Sequence, residues 1–127
     1  DLVLRRAAQA MRKAMRADSL LARYGGEEFC AIVPVDDEDD ATRAAERIRA
    51  TLSRLALSID QRPLRLSVSI GLAVQRGDLR FDELLAIADE GVYLAKERGR
   101  DCVIAPGSSP EISRPARPRA APRVRHA

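Results

Sequence analysis

The chain of 127 residues has no tryptophan, one histidine and two cysteines, and only 3% of it is aromatic. Each scarcity removes a class of explanation. A core so poor in rings must be filled by aliphatic side chains and alanine, within an ordinary apolar share of 46%. The single histidine, His126, stands in a Pro- and Arg-rich stretch, a poor setting for a general base. Cys30 and Cys102 each sit in an apolar run, and their spacing matches no zinc site. They read as reduced core residues of a cytoplasmic chain. No apolar run is long enough for a membrane span, and no secretory leader opens the sequence. Also missing are an internal repeat, a G-x-G-x-x-G fingerprint and a Walker A loop.

Charge of one sign is lacking too, once the chain is divided. Residues 106–127 hold five arginines and one glutamate, which leaves 17 basic and 18 acidic residues in the rest. The net charge of +3 therefore belongs to the C-terminal stretch. The remainder is near neutral, with no broad basic face for a nucleic acid polymer. From Pro106 the composition turns to Pro, Arg, Ala and Ser. This reads as a disordered tail, 106–127, behind one domain, 1–105. Asp1 leads at once into a helical pattern, as expected of a piece cut from a longer protein.

What is present is a clear order of elements. Leu4, Ala7, Ala8, Met11 and Met15 recur at helical spacing, which predicts a helix over 2–16. Apolar runs at 20–24 and 27–34 predict two strands, the second closed by Pro34. Five consecutive acids, Asp36 to Asp40, then open a long helix. Their placement at its start caps it and complements its dipole, so they need no metal to explain them. Ala41, Ala44, Ala45, Ile48, Leu52 and Leu55 form its inward stripe. Leu64, Leu66, Val68, Ile70, Leu72 and Val74 alternate strictly, predicting one strand. Its other face carries Ser67, Ser69 and Gly71, small enough to let a helix or a ligand lie close. A last helix is predicted over 81–98, stopped by Gly99, with a short strand at Cys102-Val103-Ile104. The expected fold is an α/β sandwich, with helices on a mixed or antiparallel sheet.

The stretch that organises the rest is Arg23-Tyr24-Gly25-Gly26-Glu27-Glu28-Phe29. Gly-Gly between two apolar runs predicts a tight hairpin. Two acids follow at once. Neighbours on a strand point to opposite faces, so Glu27 and Glu28 are expected to differ in role. The pair suits a hard cation such as Mg²⁺ that shares its oxygen ligands with phosphate. The bland reading is a surface hairpin with two solvated acids.

The heptad Arg23 to Phe29 resembles the signature of the GGDEF family, the diguanylate cyclases, in a GGEEF form. Three further blocks agree in order: Ser67-Val68-Ser69-Ile70-Gly71, then Ala88-Asp89 with Tyr93-Leu94-Ala95-Lys96, then Gly99-Arg100-Asp101. The family usually has Asn in place of Asp101. The resemblance implies the palm-like fold of nucleotidyl cyclases and polymerases. It implies condensation of two GTP into cyclic di-GMP, with release of pyrophosphate, across a homodimer of such domains. By the same resemblance, Glu27 ligates Mg²⁺ (or Mn²⁺) and assists deprotonation. Glu28 is a second, metal- or ligand-orienting acid. Gly25 and Gly26 let the nucleotide lie on the backbone, and Asp1 matches a guanine-binding Asp. Lys96 and Arg100 match phosphate-binding cations. Being four apart, they would share a helix face if the last helix continued that far. The alternative is a pair of solvated cations at a helix C-terminus.

Two departures from the family pattern bear on activity. The family's N-terminal segment, with a central strand bearing a metal-binding Asp and a guanine-contacting Asn, has no counterpart here. This chain alone is expected to be inactive, and its flanking strands to expose edges. The product-binding Arg-x-x-Asp becomes Arg16-Ala17-Asp18-Ser19, with Ser19 where the acid is expected. Feedback by cyclic di-GMP is then expected to be weak or absent. The competing reading is a degenerate module that binds GTP or cyclic di-GMP without catalysis. A purely structural hairpin domain would explain the turn alone, not four concordant blocks.

Overall fold

In α1, Leu2–Ala14, the helical spacing of apolar residues puts Ala7, Ala10 and Met11 in the core, while Arg5, Arg6 and Arg12 stay in solvent. The fold that follows comes from a computed structural model. It describes residues 2–107 and the backbone of Val124–His126.

β1, Leu20–Gly25, and β2, Glu28–Ile32, form the expected antiparallel hairpin. The register slips between Arg23 and Gly25, so Tyr24 stands out of the ladder as a bulge. α2, Glu38–Ser53, begins at an Asp37 cap whose side chain accepts from the Asp40 amide at 2.7 Å. The Asp40 carboxylate in turn accepts from the Asp36 amide at 3.0 Å. Two of the five acids, Asp37 and Asp40, thus serve the cap, as the run's position implied, while Glu38 pairs with Arg76. Ala45, Ile48 and Leu52 bury the inward stripe of α2.

The alternating run from Leu64 to Val74 is not one strand. Leu57–Ile59 (β3) and Arg62–Leu64 (β4) pair with each other as a separate ribbon. They turn through Asp60 and Gln61, both at positive φ (50° and 66°). That is the backbone of a primed two-residue turn made without its usual glycine, so no glycine marks the turn. Pro63 is tolerated because the ribbon has free edges. The run resumes as β5, Val68–Gly71.

From β5 the chain enters α3, Phe81–Glu97, and returns as β6, Val103–Ile104, parallel to β5. This is a strand–helix–strand crossover, and it sets α3 antiparallel to β5. Both faces of β5 are covered. Leu66, Val68 and Ile70 pack into one cluster with Ala7, Met11, Ile48 and Leu52 from α1 and α2. Gly71, on the alternate face, meets α3 backbone to backbone. A Cβ there would collide with the carbonyl of Ala88 and the amide of Val92, and would lie 2.8 Å from the carbonyl carbon of Gly91. Gly91 answers from the helix: a Cβ on it would lie 2.8 Å from the Gly71 Cα. The small face of the strand therefore admits a helix.

The five-stranded sheet has the order β1-β2-β7-β5-β6. β7, Val124–His126, lies between β2 and β5 and is antiparallel to both. Most of the tail reading for 106–127 falls outside the described residues, but these three residues are a strand. The edges expected to be exposed on β2 and β5 are partly covered by it.

The loop after α3 is tied to α2. Arg49 donates to Glu46 at 2.9 Å and to Asp101 at 3.0 Å, and these two bonds hold its guanidinium proton more tightly than usual.

Two stability predictions follow from this packing. Gly71→Ala forces β5 and α3 apart with backbone on both sides, and should cost at least about 3 kcal/mol in urea unfolding. A loss below about 1 kcal/mol would show that α3 yields easily. Asp101→Asn keeps an acceptor but removes the charge of a half-exposed pair. Its expected cost is under about 1 kcal/mol, shrinking as salt is raised.

Candidate active site

The hairpin turn places Gly26 and Glu27 at its tip, between the paired residues Gly25 and Glu28. Gly26 has φ +50°, and positive φ at the first central position alone is the pattern of a type II′ turn. Arg23 pins the tip, its Nε donating to the Gly26 carbonyl at 2.8 Å. A Cβ on Gly25 or Gly26 would meet nothing within 4 Å. The backbone of both glycines faces open space.

The two acids differ, though not by strand alternation alone. Glu27 belongs to the turn and is exposed. Glu28 is the first residue of β2 and is 8% exposed. Strand pairing locates it further. Glu28 and Ser69 both stand opposite residue 125, so the three occupy one row across β2, β7 and β5. Residues opposite one another share a face. Ser69 lies on the same face of β5 as Gly71, the face toward α3. Glu28 is therefore on the α3 side of the sheet, two strand spacings, or about 10 Å, from Ser69.

The end of α3 comes to the same row. Gly71 lies against Ala88, Gly91 and Val92. Two residues back along β5 is about 6.6 Å, or roughly four residues onward along the antiparallel helix. Ser69 is thus level with Ala95 and Lys96. Lys96 is half-buried and Arg100 exposed.

Arg100 does not share a helix face with Lys96. α3 stops at Glu97, and Gly99 (φ +100°) and Arg100 (φ +69°) both take left-handed conformations. The Arg100 amide donates to the Ala95 carbonyl at 2.9 Å and the Gly99 amide to Lys96 at 3.3 Å, which is a Schellman closure. The four-apart argument therefore fails. The two cations stay neighbours of one helix end, but the turn sets them, not the helical period.

Asp1 lies outside the described residues. Arg16 pairs with Asp18 at 3.1 Å instead of standing free. The buried Ser19 Oγ beside them has no hydrogen-bond partner. Arg16 lines a groove of about 210 Å³ with Val33, Asp40 and Arg47. Asp89, which belongs to the Ala88-Asp89 block, is 7% exposed on α3. Burial also pushes the Cys30 thiol up, as expected of a core cysteine.

The donor set bears on metal binding. Among the described residues no group of three or more His, Cys, Asp or Glu side chains is placed to hold an ion. A hard divalent cation that keeps waters and shares phosphate oxygens needs only one or two carboxylates. Glu27 and Glu28 are adjacent acids of the hard-oxygen type that such an ion takes, one exposed and one buried. Among the described residues no helix is long and apolar enough to cross a membrane.

The chain is similar to known proteins over most of its length. DosC of Escherichia coli strain K12, a diguanylate cyclase, is 38% identical over 104 residues, covering 81% of this chain and 23% of its own length. The response regulator PleD of Caulobacter vibrioides is 42% identical over 107 residues, covering 82% of this chain and 24% of its own. The chain thus spans about a quarter of these relatives. Among solved structures, the diguanylate cyclase SiaD of Pseudomonas aeruginosa, in complex with its activator SiaC, superposes with TM-score 0.76 at 31% identity, over 82% of this chain and 40% of that one. The GGDEF domain of DgcB from Caulobacter crescentus, in complex with c-di-GMP, gives 0.75 at 28% identity, over 82% and 63%. Residues 1–102 match the family described as "Diguanylate cyclase, GGDEF domain", and the chain belongs to that family.

Proposed function

We propose that, in the protein to which it belongs, this domain condenses two GTP molecules into cyclic di-GMP and releases pyrophosphate. The observation that carries the reading is the open Gly25-Gly26 turn beside a buried Glu28, level with the basic end of α3. The turn's positive φ already calls for glycine at Gly26, whereas nothing within the chain calls for it at Gly25; a ligand lying on the turn would account for the second glycine. The attacking 3′-hydroxyl of one GTP displaces pyrophosphate from the α-phosphate of the other. Such transfers depend on positioning and on neutralising charge more than on covalent help.

Glu27 and Glu28 would hold a divalent metal, Mg²⁺ or Mn²⁺, together with phosphate oxygens. When bound, that ion supplies a lowered hydroxyl pKa and charge compensation for the leaving group. Glu27, exposed at the tip, would take the proton of the attacking hydroxyl. Glu28, held by the sheet, keeps the site's geometry. Lys96 and Arg100 would bind terminal phosphates, and Asp1 would accept from the guanine edge. Two such domains facing each other as a homodimer supply one GTP each, in a cytoplasmic setting.

The second reading is a module that binds nucleotide without turnover. Incubating the 127-residue chain with GTP and Mg²⁺ should give no cyclic di-GMP by chromatography; steady product formation would refute the need for a further acid. In the full-length parent, Glu27→Gln should lower synthesis at least about a hundredfold, in the range for loss of a charge-stabilising group. Unchanged synthesis would end the proposal.

Feedback should be weak, because Asp18 already occupies Arg16 and Ser19 brings no charge. Titration of the parent with cyclic di-GMP should show no inhibition at micromolar levels. Inhibition abolished by Arg16→Ala would contradict this.

A further inference from the structure

The near-neutral sum over residues 1–105 conceals a separation of charge. α1 carries Arg5, Arg6, Arg12 and Lys13, and no acid stands between Leu2 and Ala17. All four cations are exposed. Among the described residues, none of them takes part in an ion pair. Arg12 gives one N–H to the Leu21 carbonyl at 3.2 Å, a bond that steadies the guanidinium and leaves its charge whole. The neighbouring helix is different. Of the four acids within α2, three meet arginines: Glu38 with Arg76, Asp40 with Arg43 and Glu46 with Arg49. Positive charge is therefore concentrated on α1.

The cations share one face. Leu2, Arg5, Arg6, Gln9, Arg12 and Lys13 are the exposed residues of α1, and at 3.6 residues per turn they fall within an arc of about 120°. From Arg5 to Lys13 is about 12 Å along the axis. We infer that this face is a docking surface for an anionic lipid bilayer, with α1 lying flat along the headgroups.

The make-up of the face selects a bilayer among polyanions. A stable protein interface has an apolar centre ringed by polar groups. This face has one apolar side chain, Leu2, 67% exposed and at its end. Single-stranded nucleic acid is held by stacking on aromatic rings, and both tyrosines and both phenylalanines lie outside α1. Lipid headgroups need neither an apolar centre nor a stacking platform. They form a fluid plane of negative charge that cations on long stems meet without a fixed register. Leu2, on the same face, can enter the acyl boundary beside them.

The geometry agrees with the rest of the fold. α1 packs on one face of β5 and α3 on the other. A bilayer against α1 leaves the α3 side of the sheet, where Glu28 stands, turned to water. The docking does not rest on the nucleotide chemistry proposed above, and its test reads no activity.

The experiment uses the 127-residue chain and vesicles of phosphatidylcholine, alone or mixed with phosphatidylglycerol. Cosedimentation should require phosphatidylglycerol and fade as salt is raised. Residues 106–127 bring five arginines of their own, so a variant separates the two sources of charge. Arg5→Gln, Arg6→Gln, Arg12→Gln and Lys13→Gln together remove the charge while keeping good helix formers. Affinity for the mixed vesicles should fall at least about tenfold, since each cation near an anionic surface contributes several-fold. Equal affinity at unchanged circular dichroism overturns the proposal, as does tighter binding of the parent chain to duplex DNA or polyglutamate than to the vesicles. A second measurement reads orientation without altering the cations. A polarity-sensitive fluorophore on Gln9→Cys, in a Cys30→Ser, Cys102→Ser background, should shift to the blue on the mixed vesicles. The same fluorophore on Glu83→Cys, exposed on α3, should not. No shift at position 9, or an equal shift at both, overturns α1 as the docking face.

Discussion

The arrangement depends on one contact, the meeting of β5 and α3 at Gly71 and Gly91. Ridges of side chains usually keep a helix about 10 Å from a sheet. Here two glycines remove both ridges, and the backbones touch. A contact that close fixes the height of α3 over the sheet and also its slide along β5. Since Glu28 and Ser69 share a row, fixing the slide decides which helical residue stands level with the acid. One helical turn more or less would bring Val92 or Gly99 there in place of Ala95 and Lys96. The glycines are far from the turn in sequence, yet they set what faces it.

The other fixed point is the hairpin tip. Arg23 holds the Gly26 carbonyl, the bulge at Tyr24 twists the strand, and β2 begins at Glu28. A mobile loop could present two acids, but it would lose entropy each time a ligand ordered it. A two-residue turn has lost that freedom in advance. It leaves one acid in water and seats the other in the sheet. Phosphoryl transfer gains from groups that need not reorganise as charge develops.

Much of this was legible in the residues. Period-3.6 stripes located three helices within a few residues of their ends, because each must bury one face. Gly-Gly between apolar runs gave the hairpin, and the acidic run gave the α2 cap. The failures have physical causes. Alternation from Leu64 to Val74 was read as one strand because pattern records burial, not pairing; Leu66 is buried although it lies in no strand. The β3–β4 turn was invisible because Asp60 and Gln61 adopt positive φ without glycine. Lys96 and Arg100 were joined by a helical period that Gly99 had already ended. Arg49 and Asp101, 52 residues apart, carry no local sign of their bond. β7 was hidden most deeply, since pairing through the backbone need leave no pattern in a segment's own sequence.

That last case changes how the Asp for Asn exchange after Gly99-Arg100 is to be understood. Asn at this place could accept from Arg49, but only Asp adds charge, and Arg49 already holds Glu46. The guanidinium is thus shared by two carboxylates, one on its own helix and one on the loop that follows α3. The loop residues Arg100 and Asp101 both sit at positive φ, an unfavourable backbone for side chains with a Cβ. A shared ion pair that is half exposed is worth little as stability. It is worth more as geometry, because it holds the left-handed turn from the far side while the Schellman bonds hold it from the helix. With both ends fixed, the backbone at Arg100 is held in its left-handed conformation. The exchange that looks like a departure from the family is a second brace on the turn that carries Arg100.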